Sequence, residues 1–264
     1  MSSAVALWAL CLSANAQQAS PAGEKTCSAD HFRQGELISY AESREQRLPS
    51  GSTNNVNPGS NGSIRVHGWN NADVLVRACI QTAAASDSEA RALASQVSIT
   101  RGAGIIEPSG PARRDHEYWG VSYEIWVPNS SNLSLTANNG SIAVEMVSGQ
   151  IRFKTQNGSV HLTAVAGDVD GSTTNGSVNI DLVGNGWKGN GLHAETTNGS
   201  VRLTLPENFS AQVQASTVNG SLKVDFPVTV SGEIGKKMSF QLGSGGPLIE
   251  AKTVNGSIRI IKRA

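Results

Sequence analysis

The chain lacks an excess of either charge: its 264 residues carry 21 Lys plus Arg against 21 Asp plus Glu. That balance gives no support to general nucleic-acid binding, which rests on a basic domain or stripe. Long apolar runs are missing too. Ala4 to Leu12 is the longest candidate, and it is too short to span a bilayer as an ordinary helix. The five histidines, His31, His67, His116, His161 and His193, show no metal spacing. No Ser-His-Asp set and no phosphate loop can be placed, so no cofactor is expected.

Residues 1–16 read as a signal peptide, with Ala4 to Leu12 as its apolar core and Ala14-Asn15-Ala16 as a small-residue cleavage site. Export to a bacterial periplasm or cell surface is the expectation, with no transmembrane span once the leader is removed. Cys11 follows Leu10, where a lipid-modified cysteine would have a small residue before it. Beyond the leader only Cys27 and Cys79 remain. An even pair in an oxidising compartment predicts a structural disulfide, and two buried free thiols are the alternative.

Glycine is plentiful, 28 of 264 residues, and falls largely at turns. Asn-Gly-Ser followed by an apolar residue recurs at Asn61, Asn139, Asn157, Asn175, Asn198, Asn219 and Asn255, and the steps from Asn139 onward are 18, 18, 23, 21 and 36 residues. A period near 18, with 36 counted as two turns, predicts an all-β parallel β-solenoid in which each unit stacks on its neighbour. Within a unit the apolar residues alternate, as in Val160, Leu162 and Ala164, the pattern of half-buried strands. The Asn-Gly pairs (Asn139-Gly140, Asn157-Gly158, Asn175-Gly176, Asn198-Gly199, Asn219-Gly220 and Asn255-Gly256) are read as corners whose glycine needs positive φ. Thr155, Thr173, Thr196, Thr217 and Thr253 fall two residues before each Asn, a column able to hydrogen-bond along the stack.

Along the chain, residues 17–60 read as a flexible lead-in, although a strand with a mixed pattern is foreseen from Glu36 to Leu48. Residues 61–264 read as one solenoid domain, with irregular first turns over 61–130 and regular repeats over 131–264. The capping-box pattern Ser86-Asp87-Ser88-Glu89 opens a short helix near 87–96 that would cover the first turns. Val121, Tyr123, Ile125 and Val127 mark one side of a further strand.

The segments NGSIRVHGW (61–69), WGVSYEIWVP (119–128) and TTNGSVNIDLVGNGWKGNGLHAETTNGSVRLTLP (173–206) resemble the bacterial putative-adhesin family of β-strand-repeat proteins, a domain of unknown function. The likeness covers most of residues 61–264. It implies an exported, β-solenoid-like envelope protein and carries no catalytic residues across.

Three chemistries have candidate residues in the sequence. For calcium, Gly167-Asp168-Val169-Asp170 comes closest, but a surface pair of Asp170 with Arg152, 18 residues earlier, is preferred. For catalysis, Asp115-His116-Glu117 reads better as a solvated loop. For sugar stacking, Trp187 reads better as folded over an apolar edge. A non-catalytic adhesin-like or scaffold protein is the expectation, with a polysaccharide-processing enzyme or an envelope-stress sensor partner as alternatives. Its partner would be an envelope polysaccharide, lipid or protein. The outward residues of the repeats give one column of Arg65, Ala143, His161, Asn179, Arg202, Lys223 and Arg259. Within it Arg202, Lys223 and Arg259 are the candidate contact for an anionic ligand.

Overall fold

The computed structural model describes residues 27–263 apart from 31, 52, 103, 113 and 228–235, so the expected leader and its cleavage site lie outside the described residues. The chain opens with β1 (Ile38–Pro49), β2 (Asn54–Val56), β3 (Ile64–Trp69), β4 (Asp73–Ala84), helix α1 (Asp87–Gln96), β5 (Ser98–Gly102), β6 (Ile105–Ser109) and β7 (Tyr118–Pro128). The repeats supply β8 (Leu133–Asn139), β9 (Ile142–Glu145), β10 (Ser148–Asn157), β11 (Val160–Thr163), β12 (Ala166–Asn175), β13 (Val178–Asp181), β14 (Gly191–Asn198) and β15 (Val201–Leu205). Then follow β16 (Ala211–Asn219), β17 (Leu222–Val224), β18 (Lys237–Leu242), β19 (Leu248–Asn255) and β20 (Ile258–Lys262).

These strands make two ten-stranded sheets. Sheet A runs β1-β4-β7-β3-β9-β11-β13-β15-β20-β17, and sheet B runs β18-β16-β19-β14-β12-β10-β8-β2-β6-β5. Alternation decides which face is buried. Val160 and Leu162 from sheet A and Ile151, Phe153 and Val169 from sheet B enter one core, each at most 3% exposed. Each such side chain contributes about 1.5–3 kcal/mol before entropy is charged against it. In the middle of both sheets the pairing is parallel and 18 residues apart, as in Ile151 with Val169 and Leu162 with Ile180.

The Asn column forms a continuous amide ladder. Asn139 Nδ2 donates to Asn61 Oδ1, and the same bond joins Asn157 to Asn139, Asn175 to Asn157 and Asn198 to Asn175, at 2.8–3.1 Å. The Thr column sits beside it, but its hydroxyls do not bond one another. Thr155, Thr173 and Thr196 are buried, and each donates to a glycine carbonyl one unit away: Gly140 O, Gly158 O and Gly176 O. The glycines themselves correct the corner expectation, because none of the six Asn-Gly glycines has positive φ. Close stacking is what excludes a side chain there. A Cβ on Gly158 would lie 2.0 Å from Gly140 O, and one on Gly176 would lie 2.2 Å from Gly158 O. The left-handed backbone falls at the opposite corner instead, at Met146 (φ 56), Ala164 (φ 52) and Gly167 (φ 107).

The first part of the chain departs from the repeats. Residues 38–49, within the expected lead-in, form β1, paired antiparallel with β4 from Ile38–Ala84 to Pro49–Asp73. β4 pairs antiparallel with β7 in turn. Helix α1 starts as expected: Ser86 is its N-cap, with Oγ accepting from Glu89 N at 3.3 Å. Its last turn has no basic residue, and Arg44 of β1 fills that role by donating to Ala94 O and Val97 O. Cys27 and Cys79 form a disulfide that ties the start of the described chain to β4.

At the other end the structure overturns the counting of 36 residues as two stacked turns. β19 lies between β14 and β16, and β20 lies between β15 and β17. The unit of Asn255 is therefore inserted between those of Asn198 and Asn219, which precede it in sequence. The ladder tolerates this because its bonds depend on identical side chains and not on chain order. Asn255 donates to Asn198, Asn219 donates to Asn255, and Thr253 and Thr217 reach Gly199 O and Gly256 O. β18, antiparallel to β16, closes sheet B at this end.

Candidate functional site

The outer face of sheet A carries the candidate surface. Parallel pairing lays its first outward row across the strands as Arg65, Ala143, His161, Asn179, Arg202, Arg259 and Lys223. Adjacent strands lie about 4.8 Å apart, so the insertion of β20 places Arg259 directly between Arg202 and Lys223. All three side chains are exposed. Lys223 has an acidic neighbour, with Nζ 3.6 Å from Asp225 Oδ1. Arg202 and Arg259 make no ion pair among the described residues, although like charges on neighbouring strands oppose each other. Nearby carboxylates are taken by other cations: Asp181 by Arg263, and Glu207 by Lys262 at 2.9 Å.

The second outward row is built differently. Trp126 is 4% exposed, with His67 stacked on it at 5.4 Å and the Arg77 guanidinium 4.8 Å from its ring centroid. Arg77 and His67 share Glu124, at 3.2 and 3.4 Å, and His67 Nδ1 also lies 3.4 Å from Glu145. Both carboxylates of this cluster lie within 3.4 Å of a basic side chain.

On sheet B, Arg152 pairs with Asp168 at 2.8 Å, not with Asp170 as the 18-residue spacing suggested. The bond raises the guanidinium's pKa, with burial opposing. Asp170 instead faces His193 at 3.4 Å, and Glu195 and Glu250 lie 3.9 and 4.0 Å from His193 Nε2. Among the described residues no group of three His, Cys, Asp or Glu is placed to hold a metal ion. Trp187 is 7% exposed and donates Nε1 to Gly167 O at 3.2 Å, so its ring offers no stacking platform. Asp115, His116 and Glu117 lie in a loop, with Asp115 and His116 exposed. Tyr123 points into the core, its hydroxyl without a hydrogen-bond partner among the described residues. Burial first, and Glu107 second, push its pKa above the ordinary phenol range.

Sequence reasoning put Arg65 in the same column but gave it no role. Ser122, a strand away, it could not connect at all, because only the β3–β7 pairing brings Ser122 beside Ser63.

The family model of Toastrack DUF4097 matches residues 47–261, most of the chain. The chain belongs to that family. Among solved structures similar to this Toastrack chain is a putative cell adhesion protein from Clostridium sporogenes, 14% identical with a TM-score of 0.42, covering 85% of this chain and 100% of its own. A putative adhesin from Bacteroides fragilis is 11% identical with a TM-score of 0.35, over 84% and 97% of the two chains. A putative lipid binding protein from Parabacteroides distasonis is 12% identical with a TM-score of 0.28, over 84% and 97%. No curated protein matches this Toastrack chain. Among its described residues no helix is long and apolar enough to cross a membrane.

Proposed function

We propose that the protein is an exported, non-catalytic β-solenoid that acts as an adhesin-like scaffold in the bacterial envelope and contacts an anionic envelope polymer through Arg202, Arg259 and Lys223. The solenoid has turns of about 18 residues; it runs through residues 61–264 and takes in β1 and β2, behind a leader at 1–16. The disulfide between Cys27 and Cys79 supports an oxidising compartment.

The observation that carries the binding reading is the row of three adjacent exposed cations, two of them without an ion pair among the described residues. Folding gains nothing from placing Arg202 beside Arg259, whereas a polyanion lying across β15, β20 and β17 would neutralise both. Replacing Arg202, Arg259 and Lys223 together with Ser tests it. At low salt the parent protein should bind polygalacturonate or phosphatidylglycerol vesicles, and the triple variant should not. Its melting temperature should stay nearly unchanged, because exposed charges contribute about 0–1 kcal/mol. Absence of binding by the parent, or binding that survives the triple change, rejects the surface.

A further inference from the structure

At the other end of the same face lies a groove of about 510 Å³, formed where β4, β7, β3, β9 and β11 run side by side. One wall is Cys27–Ser28, fixed by the disulfide to Cys79 and by Gln81 Nε2 donating to Ser28 O at 2.7 Å. On the floor Arg65 is half-buried and makes no hydrogen bond or ion pair among the described residues. The carboxylate on the neighbouring strand, Glu124, is held by Arg77 and His67.

Two hydroxyls stand beside Arg65. Ser122 Oγ accepts from Ser63 N at 3.2 Å, and Ser63 Oγ accepts from Ser141 N at 3.3 Å. Each oxygen is thus fixed as an acceptor, and its own proton has no acceptor among the described residues. Arg65, Ser63 and Ser122 together present donors to the groove. One guanidinium suits one negative charge, and its planar fork suits a carboxylate. The volume falls in the range of about 300–1,000 Å³ typical of small-molecule sites, well beyond what a bare oxyanion needs. Ala143 and the disulfide add an apolar patch, and the exposed His161 adds a polar rim.

We propose that this groove binds a carboxylated sugar, its carboxylate on Arg65, Ser63 and Ser122 and its ring against Ala143 and the disulfide. The inference goes beyond the polymer-binding surface and uses none of its three cations, Arg202, Arg259 and Lys223.

The test titrates the intact disulfide-bonded protein with glucuronate, glucose and inorganic phosphate, following binding by calorimetry. Glucuronate should bind saturably, with glucose and phosphate at least about tenfold weaker. Arg65→Ala and Arg65→Gln should each weaken glucuronate at least about tenfold, the loss expected for a charge-assisted contact. Gln keeps the stem of the side chain, so it guards against a folding defect in the Ala variant. The triple Ser variant of Arg202, Arg259 and Lys223 should bind glucuronate as the parent does, which separates this site from the polymer surface. No saturable glucuronate binding by the parent, unchanged binding by both Arg65 variants, or phosphate binding as tight as glucuronate would overturn the proposal.

Discussion

The middle of the molecule and its N-terminal pole solve the same problem by different means. In the middle, β9, β11 and β13 are four residues long, pair in parallel, and are locked by Asn and Thr bonds that recur from unit to unit. At the pole, β1 and β4 run for 12 residues in antiparallel pairing, covered by α1 and tied by the disulfide. Arg77 over Trp126 and Arg91 over Tyr40 add contacts of a kind absent from the described residues of the repeats. The difference follows from neighbours. A middle unit has one on each side and needs little of its own, whereas a terminal unit must supply what the missing neighbour would have given. Repetition in the sequence therefore marks where stability is shared, and its loss marks where stability is local.

The comparison can be broken most sharply in the middle. Gly176→Val places a Cβ about 2.2 Å from Gly158 O, so two units must move apart. A loss of about 4 kcal/mol is expected in urea denaturation, against less than about 1 kcal/mol for Ser172→Val on the half-exposed strand face. Equal losses would mean that the glycine column does not set the spacing of the stack.

Next comes the pole. Replacing Cys27 and Cys79 with Ser opens a sequence separation of 52 residues. About 3 kcal/mol should be lost. Hydrogen exchange should quicken in β1 and β4 while β11 to β13 keep their protection. Uniform acceleration would show that the two regions unfold as one.

Alkaline pH should also single out the pole, since Tyr123 of β7 lies there. The folded Tyr123 pKa is raised, so its folding contribution is intact below the unfolded value near 10 and declines as pH rises through and beyond it. A slope of about 1.4 kcal/mol per pH unit above that value is expected. Tyr123→Phe should flatten it, and an unchanged slope would place the sensitivity elsewhere.

The smallest effect is a gain. Ala164 holds a left-handed backbone at φ 52, next in the stack to Met146 at φ 56. Ala164→Gly should stabilise by about 0.5 kcal/mol, relief of the strain outweighing the added freedom of the unfolded chain. A lower melting temperature would show that the methyl group packs usefully.

How much of this was legible in the sequence depends on whether a feature repeats locally. The strand alternation, the Thr and Asn columns and the Ser86 cap could all be read from spacing, because each depends on residues within one unit or at a fixed step. The backbone at the Asn-Gly corners was misread. Asn-Gly is a general turn signal, but here glycine answers to the carbonyl of the unit beneath it. The position of residues 248–262 was not legible, since Asn255 meets Asn198 as readily as Asn219 and spacing alone cannot choose. Of the candidate surface, the column was readable but its order was not: Arg259 became the central cation only because β20 is central. The Arg65 groove needed the pairing of β7 with β3 and with β4, neither of which follows the repeat step.

The inserted unit has a kinetic consequence. In the repeats a strand docks on one that lies 18 residues away, but the unit of Asn255 docks on that of Asn198 across 57. Closing the longer loop costs about 1 kcal/mol more entropy. Moreover, β16 and β17 reach the rest of their sheets only through β19 and β20. Residues 211–224 must therefore wait, unpaired with the main stack, until a later segment slides in beside them. Contact order in this region is set by that arrival, so the last step of folding should be slower than the zipping of the repeats.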